Sequence, residues 1–322
     1  MNYLELIPTE LNEIIISYSH VNELKTLLNT FNLRVNWDTI YKYHFGKYIK
    51  PINEYKPMSV FEYSSKLEIE DLIFIFKLNI TFDELLDLKV LKLPNRSLRE
   101  LPPGIFRLNN LQVLDLIHNK ITRVPPEIGR LTNLKSLDLS YNRLKELPRE
   151  IGNLYNLQGL YLNNNRLERL PPEIGNLTNL QKLWLVTNKL VRVPPEIGNL
   201  INLQRLYLKD NQLTQIPPEI GNLTNLRELW LSDNQLIEIP KEMGNLINLQ
   251  ELHLSDNQLI EIPPEMGRLN NLQELYLYSN QIKRVPIEIG RLNNLQLLNV
   301  SSNPDIQIPP EVISIPNIRI HR

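Results

Sequence analysis

The stretch LQVLDLIHNKITRVPPEIGRLTN, Leu111 to Asn133, decides the fold. Apolar residues stand at positions 1, 4, 6, 11, 14, 18 and 21 of this unit, with an asparagine at position 9. That asparagine recurs at one unbroken interval of 23 residues, as Asn119, Asn142, Asn165, Asn188, Asn211, Asn234, Asn257, Asn280 and Asn303. A fixed period in the twenties marks a solenoid, in which each repeat packs only on its neighbours. Such a molecule offers a long surface in place of a pocket, and the expected function is protein binding.

Inside the unit, Leu114 and Leu116 have the period of two expected of a strand. Pro125 and Pro126 stop that strand, and Glu127 and Ile128 open a short turn or 3₁₀ segment. Gly129 is expected to end the segment at positive φ, and the same glycine returns at each interval from Gly152 to Gly290. These glycines punctuate a coil and do not cradle phosphate. The asparagine amide donates and accepts at once, so it can satisfy backbone groups stranded where the strand bends. One unit buries too little to fold alone, so stability requires stacking along a parallel ladder of strands.

The pattern L-x-x-L-x-L-x-x-N-x-L, followed by L-P-x-E-I-G-x-L-x-N-L, resembles the 23-residue leucine-rich repeat. It resembles in particular the proline-containing subtype of Ras-pathway scaffold proteins and plant intracellular Ras-group repeat proteins. The resemblance implies an α/β solenoid, a horseshoe with a parallel β-sheet on its concave face, preceded by a small all-α N-terminal domain. It runs over residues 88–322 as ten repeats of 23 residues and a C-terminal stub. Arg96 replaces the asparagine of the first repeat and Phe106 its glycine, as suits a capping repeat. At the far end the stub, Ile318 to Ile320, is expected to leave a strand edge open to pairing.

The resemblance also implies that strand residues between the leucines face the concave side. Unit position 5 reads Lys92, Asp115, Asp138, Tyr161, Trp184, Tyr207, Trp230, His253, Tyr276 and Asn299. Large rigid aromatics dominate interface hot spots. Beside them position 3 supplies Lys182, Arg205, Glu228, Glu251 and Glu274, and position 8 supplies Asp210, Asp233 and Asp256. These residues form the expected partner-binding face, suited over the later repeats to apolar side chains set among basic ones. The competing reading is that the aromatics merely stack on one another along the ladder.

Residues 1–87 lack the repeat and read as helical. Thr81 and Glu84 form a capping box for a short last helix, and residues 51–87 serve as helical linker and cap over the first repeat. Within residues 1–50, L-I-P-T-E-L at Leu6 to Leu11, then Ile14, Ile15, Leu24, Leu27 and Trp37, resembles an F-box. That resemblance implies docking on a Skp1-like adaptor of cullin–RING ubiquitin ligases through Ile7, Pro8, Leu11, Ile14 and Ile15. The chain would then be a substrate receptor. The alternative is a signalling scaffold that binds a small GTPase or phosphatase, with the N-terminal helices only a cap. The wording of Trp37 to Gly46 is also similar to leucine-rich repeat proteins of giant DNA viruses, a hint of origin and not of activity.

The totals narrow the classes further. With 35 basic and 36 acidic residues there is no basic excess to suggest nucleic acid, and no polybasic segment to suggest a membrane surface. Cysteine is absent, which removes thiol nucleophiles and thiolate metal sites. The five histidines show no ligand spacing. No metal, cofactor or enzymatic activity is expected. The acidic first residues are wrong for a secretory signal, and an intracellular, cytoplasmic setting is expected.

Overall fold

The computed structural model describes Leu72 and residues 81–322. The F-box-like segment, with Ile7, Pro8, Leu11, Ile14 and Ile15, lies outside the described residues. Within them each unit contributes a strand of three residues. Eleven strands, from β1 (Val90–Lys92) to β11 (Arg319–His321), form one open sheet in chain order. All pairings are parallel, and the register steps by one repeat, so that Lys182 pairs with Arg205 and Trp184 with Tyr207. The stub is a paired strand, but its step is one residue short: Leu298 pairs with Ile320.

Why the strands are so short is visible in the backbone. Two residues after the second buried residue of each L-x-L core, the chain turns left-handed. His118, Tyr141, Asn164, Thr187, Asp210, Asp233, Asp256, Ser279 and Ser302 all have φ between 53° and 56°. Asp, Asn and Ser tolerate this region better than β-branched residues do. Thr187 is the misfit. Replacing Thr187 by Asn should raise unfolding stability by up to about 1 kcal/mol, measured by chemical denaturation.

The glycines behave differently from expectation, since none among the described residues has positive φ. They are required by closeness. A Cβ on Gly221 would stand 2.5 Å from the carbonyl oxygen of Glu242 in the next repeat. The absent side chain lets adjacent 3₁₀ segments, such as Pro218–Asn222 and Lys241–Asn245, pack directly on each other. Each such segment follows an extended proline, as expected from the Pro-Pro signal, and Pro217 has φ −67° and ψ 143°. In the last repeat a short helix, Pro310–Ile313, takes its place.

In repeats two to nine all seven apolar positions are buried; in the fifth copy they are Leu180, Leu183, Leu185, Leu190, Val193, Ile197 and Leu200. Unit after unit, they join one continuous core. At its start the helix Phe82–Leu86 carries the expected capping box: Thr81 Oγ1 accepts from the Glu84 amide at 3.3 Å, and Glu84 Oε2 accepts from the Thr81 amide at 2.6 Å. Phe106 is buried where later repeats have glycine.

The asparagine at position 9 does what its chemistry suggested. Asn211 Nδ2 donates to Leu185 O and Leu208 O, each at 3.0 Å, and to Lys209 O at 3.3 Å. Its Oδ1 accepts from the Leu190 amide at 3.0 Å. One amide thus ties two repeats. A second ladder runs at unit position 23, where Asn202 Nδ2 donates to Thr178 O and Asn225 Nδ2 to Ile201 O, at 2.8 and 2.9 Å.

Candidate protein-binding face

The sheet has one face on the leucine core, and positions 3 and 5 of each unit project from the other, which the resemblance makes concave. Parallel in-register pairing brings equal positions one strand spacing apart, about 4.8 Å. That distance suits ring-on-ring contact. Trp184 and Tyr207 stack at 5.2 Å and 18°, Tyr207 and Trp230 at 4.2 Å and 13°, and His253 and Tyr276 at 4.3 Å and 18°. Trp230 and His253 are tilted at 5.0 Å. Tyr161 closes the row edge-on to Trp184, at 4.8 Å and 81°. Its turn has a cause in sequence: a Cβ on Gly159 would meet the Tyr161 ring at 2.9 Å, so only glycine leaves room for that ring.

The stacking that the competing reading expected is therefore present along the column. The rings stack, and each remains half-buried with an outer surface. At the ends of the column, polar residues turn onto their own strands instead. Asp115 Oδ1 accepts from the Ile117 amide at 3.1 Å, Asp138 Oδ1 from the Ser140 amide at 2.8 Å and Asn299 Oδ1 from the Ser301 amide at 3.2 Å. Burial pushes the Asp138 carboxyl above its ordinary value, against the Ser140 bond.

The charged row beside the rings is unequal. Arg205 Nε meets Glu228 Oε1 at 2.7 Å, and the Tyr207 hydroxyl donates to Glu228 Oε2. Burial, then that bond, holds the Tyr207 hydroxyl well above the ordinary tyrosine range. Tyr276 donates to Glu274 Oε2 at 2.7 Å, and this bond, with burial, pushes its pKa up to about 12. Glu251, between these two committed carboxylates, is met among the described residues by His253 Nε2 at 3.8 Å, beyond hydrogen-bond length. Burial raises its pKa and the two flanking glutamates raise it further, while burial lowers that of His253. Trp184 Nε1, Trp230 Nε1 and His253 Nε2 are buried without a hydrogen-bond partner. The middle of the row thus holds an unbonded carboxylate beside unbonded ring nitrogens.

Tyr276 gives a prediction with a definite sign. Its proton is held more tightly in the folded state, so stability is unaffected below the ordinary tyrosine value near 10. Stability then falls as pH rises from there towards about 12. Glu274→Gln should lower the midpoint of this residue's tyrosinate absorbance titration.

The acidic column Asp210, Asp233 and Asp256 is explained by the backbone, since all three occupy the left-handed position. Asp233 pairs with Lys209 Nζ at 3.3 Å. No group of three or more His, Asp or Glu side chains among the described residues is placed to hold a metal ion. Among those residues, too, no helix is long and apolar enough to cross a membrane.

The balanced total charge conceals a division that the sequence reading missed. Residues 88–202 carry 17 Lys or Arg against 9 Asp or Glu, a net of +8, while residues 203–317 carry 8 against 14, a net of −6. The second asparagine ladder was missed as well, although Asn133, Asn156, Asn179 and their equivalents recur at the same interval.

A parallel solenoid with an aromatic, charged strip on its open sheet face is a repeat scaffold of the kind that binds along its length. The chain belongs to the leucine-rich repeat family. Models described as leucine-rich repeat region and leucine rich repeat match residues 127–233, and 87–144, 247–304 and 225–246. The solved structure of the Leptospira interrogans leucine-rich repeat protein LIC12759 is similar at 34% identity, over 83% of this chain and 76% of that one, with a TM-score of 0.55. The functional domain of InlJ from Listeria monocytogenes shares the fold at 22% identity and a TM-score of 0.66, over 77% of this chain and 52% of that one. A TDR receptor is similar at 27% identity and a TM-score of 0.59, over 74% of this chain and 47% of that one. The chain spans about half the length of these last two. No curated protein sequence matches it.

Proposed function

We propose that this chain is a non-enzymatic binding module whose aromatic sheet face, Tyr161 to Tyr276, holds a protein segment with a cationic side chain seated at Glu251. One observation carries the reading: Glu251 lies unbonded between two engaged carboxylates and beside Trp230 and His253. An Arg or Lys there would gain a carboxylate and an aromatic flank together. That a TDR receptor is among the similar structures fits a binding role.

Peptides selected from a random display library against the whole chain test this. They should be enriched in Lys and Arg. Their affinity, read by fluorescence anisotropy, should fall roughly tenfold or more for Glu251→Lys and for Trp230→Ala. Glu238→Lys, away from this face, should leave it unchanged. Lys- or Arg-bearing selected peptides indifferent to Glu251, or no such class among the peptides, would overturn the assignment.

The finer role rests on the N-terminal segment. Its F-box resemblance supports a substrate receptor that docks a Skp1-like adaptor through Ile7, Pro8, Leu11, Ile14 and Ile15. Co-purification with Skp1, lost on Leu11→Asp and Ile14→Asp in a chain that still folds, is the expected result. If wild type fails to co-purify, the scaffold reading takes its place. The 23-residue proline-type repeat favours that reading, with a small GTPase or phosphatase on the sheet face.

A further inference from the structure

Immediately after the asparagine ladder, at unit position 10, stand Lys120, Arg143, Arg166 and Lys189 in repeats two to five. Their backbones are locked in register. The amides of Arg143, Arg166 and Lys189 donate to Ile121 O, Leu144 O and Leu167 O of the preceding repeat, at 2.9, 2.8 and 2.9 Å. Four cations therefore line one edge of the stack, about one strand spacing apart, over roughly 15 Å. All four are exposed. Among the described residues none is within ion-pair distance of a carboxylate; Glu100 and Glu146 are engaged by Arg123 and Arg169 at 3.8 and 3.1 Å, and Glu168, exposed two residues after Arg166, forms no ion pair with the row. The row ends abruptly, because repeats six to nine have Gln212, Gln235, Gln258 and Gln281 at the same position.

Like charges held side by side and left unpaired repel one another, so the row lowers its energy when an anion covers it. We infer that this edge is a docking strip for a short acidic segment of a partner protein, separate from the aromatic face. Its length fits about five residues of extended chain, with Asp or Glu at alternate positions pointing one way. A long polyanion fits less well. Beyond the fifth repeat it would run onto repeats with a net charge of −6. A short acidic stretch ends before that boundary, and a nucleic acid does not.

The strip is tested with the whole chain, a labelled hexaglutamate peptide capped at both ends, and an oligouridylate of equal charge, by anisotropy at low and high salt. The variant replaces Lys120, Arg143, Arg166 and Lys189 by Gln, the residue this column already carries in later repeats, so the fold accommodates it. A control replaces Lys89, Arg130, Arg268 and Arg291 by Gln, removing equal charge elsewhere. We expect salt-sensitive peptide binding that weakens roughly tenfold in the row variant and stays within about twofold in the control. Trp230→Ala should leave it intact, which separates this strip from the aromatic face. Equal loss in both charge variants would reduce the effect to net charge and overturn the strip. Tighter, row-dependent binding of the oligouridylate would reassign the strip to nucleic acid, and no peptide binding at low salt would remove it.

Discussion

Replacing Asn211 by Leu should cost about 3–5 kcal/mol of stability, among the largest losses available to one substitution in the repeats. The side chain makes four hydrogen bonds from a buried position. Each is worth about 1 kcal/mol net, and a leucine would also leave carbonyls and an amide buried and unpaired. Because a solenoid is held by nearest-neighbour contacts, the loss should divide it, giving two denaturation transitions where wild type shows fewer. Hydrogen exchange supplies the local readout: the Leu190 amide, deprived of Asn211 Oδ1, should exchange far faster. The second ladder is the comparison. Asn202→Ala removes a single exposed bond and should cost about 1 kcal/mol or less. An unchanged denaturation midpoint for Asn211→Leu would show that water or a shifted backbone replaces the amide.

Gly221→Ala should lose about 1–3 kcal/mol by overpacking. The new methyl would lie 2.5 Å from Glu242 O and 2.9 Å from Glu242 Cβ, and neither can move without shifting the next repeat. A second substitution tells this cause from the turn chemistry that the sequence suggested. If the glycine served a left-handed turn, Gly221→Asn would be nearly as good as glycine. Under the steric cause Asn is bulkier and should be worse than Ala. Gly159→Ala is a different case, since its neighbour is the outer part of the Tyr161 ring, which can swing away. Its effect should fall on the aromatic row more than on stability.

These variants also mark where sequence was sufficient. The 23-residue period, the L-x-L core and the paired prolines dictated strand, stop and 3₁₀ return, because those signals act over a few neighbouring residues. The role of the position 9 asparagine followed from its donor and acceptor count. The same local logic misassigned the glycines. Their constraint comes from Glu150, Glu173 and their successors one repeat away, and no reading of a single unit contains that approach. The left-handed residue escaped notice for a related reason. Asp, Asn, Ser, Thr, Tyr and His all fill it, so composition hides a conformation that the backbone repeats without exception from His118 to Ser302.

At the candidate face the division is equally physical. Sequence alone determined which residues share a column, since a constant period with parallel pairing forces equal positions together. It thereby specified the aromatic row, the Glu228, Glu251 and Glu274 row, and the cations from Lys120 to Lys189. Which of these groups are already satisfied was decided only by the tertiary structure. Arg205 and Tyr207 turn to Glu228, Tyr276 turns to Glu274, and Glu251 is left over. Column membership is a matter of counting along the chain, whereas the bonds to Glu228 depend on rotamers chosen among neighbours 21 to 23 residues distant. Only the stacked repeats bring those neighbours within reach.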